Sequence, residues 1–509
     1  MSFADLRQAL RSDAPTVLVE APAGCGKTYE AAELARDAAD QLPPEAQILL
    51  LAHTNAAVQE FSRRTQGIRN RIRVATIDSF CLDLVEPYAA TLGLPVPLRR
   101  AVGPGRDRIG FEQLAPKAAE LIARAPTIAS LLAARHPMII LDEHQDARPE
   151  QHAVARRIAD IGGARLRIFG DPMQAIYERR NEPSIGWDAV EREADLRFHL
   201  ATPQRWRDAP ALGDWIMHAR AELQSGRPLP LRGCPPSVRV VRVPDLPDPG
   251  FGKGLPHMLR QPVQGFLRRH SGSRVAILAR RNELVWGLHM AAHRGVVVNE
   301  GADCEDAYRA LEQAMAAVGK PGRLAAVLVE LLSRISNGMT SGRRKTLERA
   351  FGDTAILVGR NREMREFLLA FHPIYDDPGV PAFCAVAGAI LRSRPDWLTI
   401  RLPESLRLLA RLHPTEGEDP RDALDATIMA RKQMLNRPAS SVGTVHKAKG
   451  WEFDHVLIGG FSASHFADDV QGRRLAYVAL SRATRSIDIL VPELAPSPLV
   501  HVSPTVAAA

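Results

Sequence analysis

The eight residues Ala21-Pro22-Ala23-Gly24-Cys25-Gly26-Lys27-Thr28 follow the apolar run Val17-Leu18-Val19 and precede a helix-like stretch beginning at Tyr29. Strand, glycine-rich loop and helix in that order make a cradle for phosphate. The glycines let backbone N–H groups curl around phosphate oxygens with no Cβ in the way. A helix N-terminus adds partial positive charge. Lys27 can reach the outer phosphates, and the Thr28 hydroxyl can ligate Mg²⁺. Ala23, Gly24, Cys25, Gly26, Lys27, Thr28 and Tyr29 are therefore the candidate contacts to a bound nucleotide. Ala21 stands where the strict pattern has glycine.

A second chemical group is Asp142-Glu143-His144-Gln145-Asp146, directly after the apolar Met138-Ile139-Ile140-Leu141. Asp142 can hold Mg²⁺ through its water shell, and Glu143 can take a proton from an attacking water. Two acids here would equally suit a solvated helix start. The presence of Lys27 and Thr28 in the same chain turns the reading toward catalysis.

The elements that must position these groups follow from an alternating pattern. Strand-like runs fall at 17–19, 48–51, 73–76, 138–141, 167–169 and 197–200, with helical patterns in most gaps. A second set falls at 238–243, 275–278 and 295–298 and resumes at 442–444, 456–458 and 487–490. Such alternation predicts α/β architecture with parallel sheets covered on both faces. Residues 83–136 and 300–437 read as helical insertions. The expected domains are 1–82 with 137–200, the insertion 83–136, then 201–299 with 438–509, and the insertion 300–437.

Composition sets the outer limits. A chain of 509 residues exceeds one ordinary core. The five cysteines lie far apart, without metal-ligand spacing, as in a reduced cytoplasmic protein. Cys25 is either an oxidation-sensitive thiol or simply a small residue in a tight loop, and the second reading is preferred. No apolar run has the length of a membrane helix, and the N-terminus does not read as a signal peptide. The net charge of +8 suits a polyanionic partner, though a solvated basic surface would give the same balance.

Further stretches carry a resemblance. They are Leu50-Leu51-Ala52-His53-Thr54-Asn55, Ala75-Thr76-Ile77-Asp78-Ser79-Phe80, Phe169-Gly170-Asp171-Pro172-Met173-Gln174-Ala175-Ile176-Tyr177 and Arg205-Trp206-Arg207. Gly443-Thr444-Val445-His446-Lys447-Ala448-Lys449-Gly450-Trp451-Glu452-Phe453 and Arg474-Leu475-Ala476-Tyr477-Val478-Ala479-Leu480-Ser481-Arg482-Ala483 complete the series. Together with the two groups above, and in this order, they resemble superfamily 1 helicases of the UvrD/Rep/PcrA type. The resemblance implies two RecA-like P-loop NTPase domains closing on ATP and Mg²⁺ at their interface. It makes Lys27, Glu143, Gln174, Arg207 and Arg482 the catalytic set, with Thr28 and Asp142 at the metal. It places the Trp206 ring on adenine and Glu452 near the ribose and phosphates. It assigns DNA contacts to His53, Thr54, Asn55, Thr76, Tyr177, Arg179 and His446, and implies 3′→5′ movement on single-stranded DNA.

The chain also departs from that pattern. His53 replaces a usual Phe, Asp78 a usual His, and Arg179 stands where an aromatic wedge is normal. Tyr177 could be a helix-packing residue instead of a base-stacking one. Gln8 is the one candidate for an adenine-reading Gln, at short spacing from Lys27. The Arg343-Arg344-Lys345 run reads as a solvated face rather than a duplex contact. Two functions remain open: a DNA helicase or translocase in repair or anti-phage defence, and a nucleotide-gated DNA-binding switch without processive unwinding. The compact size resembles the helicase subunit of Gabija-type anti-phage systems, which implies a partner nuclease of the overcoming-lysogenization-defect type. With so little sequence after Arg482, no appended C-terminal domain is expected.

Overall fold

The structure, a computed structural model, describes residues 3–68, 70–103, 109–177, 184–245, 255–292, 296–298, 304–352, 362–400, 403–412, 419–421, 423–424, 426–428 and 440–500. Its strands, in chain order, are β1 (Thr16–Glu20), β2 (Ile48–Ala52), β3 (Ile72–Thr76), β4 (Met138–Leu141), β5 (Arg165–Gly170), β6 (Leu196–His199), β7 (Val238–Val243), β8 (Val275–Ala279), β9 (Val297–Val298), β10 (Ser336–Asn337), β11 (Thr399–Ile400), β12 (Ser440–Thr444), β13 (Phe453–Ile458) and β14 (Ala483–Pro492). Each expected strand segment overlaps one of them among the described residues, and residue 295 of the segment 295–298 lies outside these. The architecture is α/β, with two parallel sheets of the RecA-like kind.

The first sheet has the order β3-β2-β4-β5-β1-β6. All its pairings are parallel, with Leu18 opposite Ile168 and Leu50 opposite both Ile140 and Val74. Its central strands are apolar on both faces because helices cover both, so they read as continuous runs of Val, Ile and Leu. Val17, Val19, Ile48, Leu50, Ile140 and Phe169 form the core under the helix Lys27–Ala39. The helices Leu114–Arg124 and Pro126–Arg135 pack on the helix Pro149–Gly162. Gly162 is required there: a Cβ would lie 2.4 Å from the Ala133 methyl and 2.6 Å from the Ala129 carbonyl oxygen.

The second sheet has the order β7-β14-β13-β8-β12-β9, again with parallel pairings. On one face its core draws in Ala23, Met173 and Ile176 from the first lobe beside Trp206, Trp215 and Tyr477. The two lobes therefore share apolar contacts and belong to one compact unit.

A second compact unit comprises 103–109 and 300–437. Its described part is helical, with one short antiparallel ribbon pairing β10 with β11. Leu324, Leu328, Leu332, Phe371, Phe383 and Leu406 form its core. The Arg343 guanidinium lies 4.7 Å from the centre of the Trp397 ring, while Arg344 pairs with Glu348 one turn on. Among the described residues no helix is long and apolar enough to cross a membrane.

His136, at the turn into β4, is fully buried and hydrogen-bonds the Gln47 carbonyl oxygen through Nδ1 at 3.1 Å. Its Nε2 has no partner. Burial pushes its pKa down to about 4. An unfolded histidine takes a proton near 6.5, so between these values the unfolded chain binds more protons than the folded one. Stability is then fully present above about 6.5 and falls as pH drops toward 4, by up to about 1.4 kcal/mol per pH unit for this one group. The urea midpoint should be lower at pH 5 than at pH 7.5. Replacing His136 by Gln should flatten that dependence.

Candidate active site at the lobe junction

The phosphate loop lies between β1 and the helix Lys27–Ala39. Gly24 and Gly26 take left-handed backbone at φ 75° and 89°, which a side chain would strain. Gly24 also has no room: a Cβ there would sit 2.7 Å from the Arg205 Cβ. Its carbonyl accepts from the backbone N–H groups of Gln204 and Arg205, at 2.7 and 3.1 Å. The segment Arg205-Trp206-Arg207 is thus anchored on the loop itself. Lys27 is buried, donates to the Ala21 carbonyl at 2.8 Å and lies 3.8 Å from the Glu143 carboxylate. Burial raises the Cys25 thiol to about 11, which fits a small packing residue rather than a reactive thiolate. Thr28 is half-buried, and Tyr29 is exposed with the Arg64 guanidinium over its ring at 6.0 Å.

Asp142 and Glu143 follow β4 at the sheet's carboxyl edge. Asp142 is 2% exposed, and its Oδ1 has no hydrogen-bond partner among the described residues. Burial, reinforced by the Glu143 charge, pushes its pKa upward. Such an orphaned acceptor would suit an Mg²⁺-bound water, and the Thr28 hydroxyl would be a ligand of that ion. Among the described residues no group of three or more His, Cys, Asp or Glu could hold a metal unaided. A magnesium that keeps phosphate and water ligands does not need one. Glu143 is the described non-glycine residue with positive φ, at 52°. Burial opposes its charge, but Lys27 and Lys449, then Gln145 and Arg482, hold its pKa below the ordinary carboxylate range. Gln145 donates to Glu143 through Nε2 and accepts the Asp171 backbone N–H through Oε1 at 3.0 Å.

The second lobe completes the cleft. Arg482 is 1% exposed. It donates to the carbonyls of Val478 and Trp451, and its Nη2 lies 3.3 Å from the Gln174 Oε1. Lys449 pairs with Asp146 and donates to the Gln174 carbonyl at 2.6 Å. Arg474 and Gln471 donate to the next two carbonyls, Ala175 and Ile176, at 3.3 and 2.8 Å. The Tyr477 hydroxyl accepts the Ala23 backbone N–H of the phosphate loop at 2.8 Å.

Lys27, Glu143, Gln174 and Arg482 are thus gathered in one buried crevice. The Trp206 ring is 2% exposed and packs over Gly213 in the core of the second lobe, and its indole N–H donates to the Ala483 carbonyl at 2.7 Å. Arg207 is exposed and bonded to Gln204. Arg205 instead lies at the crevice, binding Glu452 by Nε and Nη2 at 2.9 and 2.6 Å and the Ser481 carbonyl by Nη1. Sequence reasoning passed over Arg205, Gln145, Lys449, Gln471 and Tyr477. Arg205, Gln145, Lys449 and Tyr477 lie inside the quoted motifs and Gln471 lies three positions before one, but nothing in a linear pattern says which side chain crosses the cleft.

The expected DNA contacts lie at the carboxyl edges of the sheets. Thr54 and Thr76 follow or end β2 and β3 and cap the helices Asn55–Arg64 and Ile77–Val85, accepting the N–H groups of Ala57 and Ser79. Thr54 and Asn55 are exposed. His53 is pushed down to about 4 by burial and then by Lys449, so it is neutral. Asp78 is held by Arg148 and Gln151 at 3.0 and 2.7 Å. The Tyr177 ring is 43% exposed, with its hydroxyl on the His446 carbonyl at 3.0 Å and the Lys449 ammonium 5.1 Å from its centre. Arg179 lies outside the described residues. Gln8 is exposed on the helix Phe3–Arg11.

Parts of the chain match known protein families. Residues 7–180 match the AAA domain family, and residues 440–487 match the UvrD-like helicase C-terminal domain. The first match holds Lys27, Glu143 and Gln174, and the second holds Lys449 and Arg482 up to its limit. These two segments are similar to an AAA domain and to the C-terminal domain of UvrD-like helicases. A stretch of 110 residues, 21% of this chain, is 26% identical to the RecBCD enzyme subunit RecB of Escherichia coli. That stretch covers 9% of the RecB protein. A solved structure of the Pif1 helicase from Candida albicans is similar at 13% identity and a TM-score of 0.38, over 96% of this chain and 94% of that one.

Lys27→Ala should lower nucleotide turnover by about 100-fold or more, as loss of a preorganised charge at a transferring phosphoryl group does. Phosphate release under excess nucleotide measures it. Glu143→Gln should bind nucleotide and DNA as the parent does while turnover drops by about 100-fold, the scale of a lost general base. Parental turnover in that variant removes Glu143 from the base role.

Proposed function

We propose that the chain is an ATP-dependent translocase or helicase of the UvrD type, moving 3′→5′ on single-stranded DNA. The observation that carries this reading is the union of Lys27 and Glu143 from one lobe with Arg482 and Lys449 from the other around one crevice. An arginine contributed by the second lobe stabilises charge on the transferring phosphoryl group only when the cleft is closed. Hydrolysis then alternates closed and open states, and the open edges of both sheets take turns gripping the strand.

Within that reading Lys27 neutralises the outer phosphates, and Glu143 takes the proton of the attacking water. Gln174 touches the γ-phosphate and orients that water, and Arg482 meets the spreading negative charge. Thr28 and Asp142 would hold Mg²⁺, which when bound neutralises charge between the outer phosphates. Arg205, already on Glu452, is better placed than Arg207 to act as the second arginine. The two lobes take the first and second RecA-like domain assignments, and 83–136 and 300–437 are the accessory segments.

Along the DNA path, exposed Thr54 and Asn55 and half-buried Thr76 sit at helix starts, where backbone N–H groups favour phosphate oxygens. Tyr177 offers a partly open ring for a base, in contact with His446 of the coupling segment. Strand binding at Tyr177 therefore bears on Lys449 and Gln174 in the catalytic crevice. Work inside the cell falls to DNA repair or to anti-phage defence beside a partner nuclease. A second reading, a nucleotide-gated switch without processive unwinding, is favoured by Asp78, which is bound to Arg148 and Gln151 rather than facing a strand.

Single-stranded DNA should raise the ATPase rate at least about fivefold, since coupling between two ligand sites is typically worth about 1–3 kcal/mol. The measurement is phosphate release with and without a defined oligonucleotide. A rate indifferent to DNA defeats the coupling. Strand displacement measured beside translocation separates the motor from the switch.

A further inference from the structure

The helix Pro210–Gln224 carries a buried arginine that no motif of the sequence singled out. Arg220 is 6% exposed. Its Nη2 donates to two carboxylates of the first lobe, Glu20 Oε1 at 2.8 Å and Asp171 Oδ1 at 2.9 Å. Its Nη1 donates to Gln224, and its guanidinium lies 5.8 Å from the centre of the Tyr477 ring. Glu20 ends β1, just before the phosphate loop, and Asp171 follows β5.

Asp171 is fully buried and divides its two oxygens. Oδ1 takes Arg220 and the Met173 backbone N–H, while Oδ2 takes the Gln174 amide Nε2 at 2.9 Å. That second bond decides which end of the Gln174 amide faces which way. With its NH₂ held by a carboxylate, Gln174 presents Oε1 to the Arg482 guanidinium at 3.3 Å. An amide turned about would present NH₂ to a cation, a repulsive arrangement.

We propose that Arg220 is a positioning residue for hydrolysis: by holding Asp171 it fixes the orientation of the Gln174 amide toward Arg482 and the γ-phosphate. The inference rests on Gln174 acting at that phosphate. Arg220 touches neither nucleotide nor water. Its leverage is electrostatic, because a buried carboxylate without its cation takes up a proton. A protonated Asp171 would offer an O–H to Gln174 and invite the amide to turn. Because Arg220 belongs to the second lobe, the Gln174 rotamer would also depend on how the lobes are packed.

The test is a double-mutant cycle on DNA-stimulated ATP hydrolysis, with kcat and KM measured for the parent, Arg220→Met, Gln174→Ala and the double variant. Arg220→Met should lower kcat roughly 10–100-fold, the scale of a misplaced reacting group, with KM changed less than about threefold. Arg220→Lys, whose ammonium can bridge the same two carboxylates, should restore most of the rate. The double variant should be no slower than Gln174→Ala alone. Penalties that multiply would overturn the proposal, since a merely structural arginine would weaken both backgrounds equally. If Arg220→Met does not fold, Asp171→Asn in the same cycle reads the same carboxylate, and multiplication there overturns the proposal as well. A parent without ATPase activity sinks the proposed function and this inference together. An active parent with independent penalties sinks only this inference.

Discussion

Three consecutive backbone carbonyls, at Gln174, Ala175 and Ile176, accept hydrogen bonds from Lys449, Arg474 and Gln471 of the other lobe. A buried carbonyl must be paired, and an unpaired one costs on the order of 1–3 kcal/mol. In most proteins such a segment would pair with its own sheet or with water. Here its partners are side chains of a different α/β layer, so movement between the lobes must exchange these bonds for others. The turn after β5 is accordingly where side chains of one lobe are bonded to the backbone of the other.

The same junction concentrates charge. Lys27, Lys449 and Arg482 surround Glu143, and Arg220 stands between Glu20 and Asp171. Buried ion pairs of this kind add little net stability, because desolvation offsets the attraction. Their value is geometric. Each cation removed leaves a carboxylate without a partner, and the nearby side chains must rearrange. A triphosphate entering the cleft brings several negative charges to a place already organised around acid–base pairs. It would compete directly for Lys27, which lies 3.8 Å from Glu143 and holds the Ala21 carbonyl in the meantime.

The departures from the family pattern have physical outcomes. The Trp206 ring has a single polar atom, and that N–H finds the Ala483 carbonyl in the core. Arg205 reaches Glu452, so a cation lies two positions nearer the phosphate loop than Arg207. His53 lies 6.3 Å from His144, which bonds His152 and, through it, Glu193. Burial keeps all three rings below their ordinary pKa and so neutral at pH 7. They can do the packing of aromatic rings without adding charge beside Glu143.

Sequence alone determined the fold class, because apolar runs of strand length separated by helical periods leave a covered parallel sheet as the natural solution. It also determined the phosphate loop and the acidic pair, since glycine conformational freedom and strand-end placement are local properties. Tertiary structure alone decided which side chains meet across the cleft. Gln174 and Arg482 stand 308 residues apart, and no local rule brings an amide to a guanidinium over that separation. The choice of Arg205 over Arg207 at the crevice, the burial of Trp206 and the service of Arg220 to Asp171 are likewise matters of packing between layers. They depend on where two independently twisted sheets come to rest, and that is fixed by long-range contacts which a linear pattern does not encode.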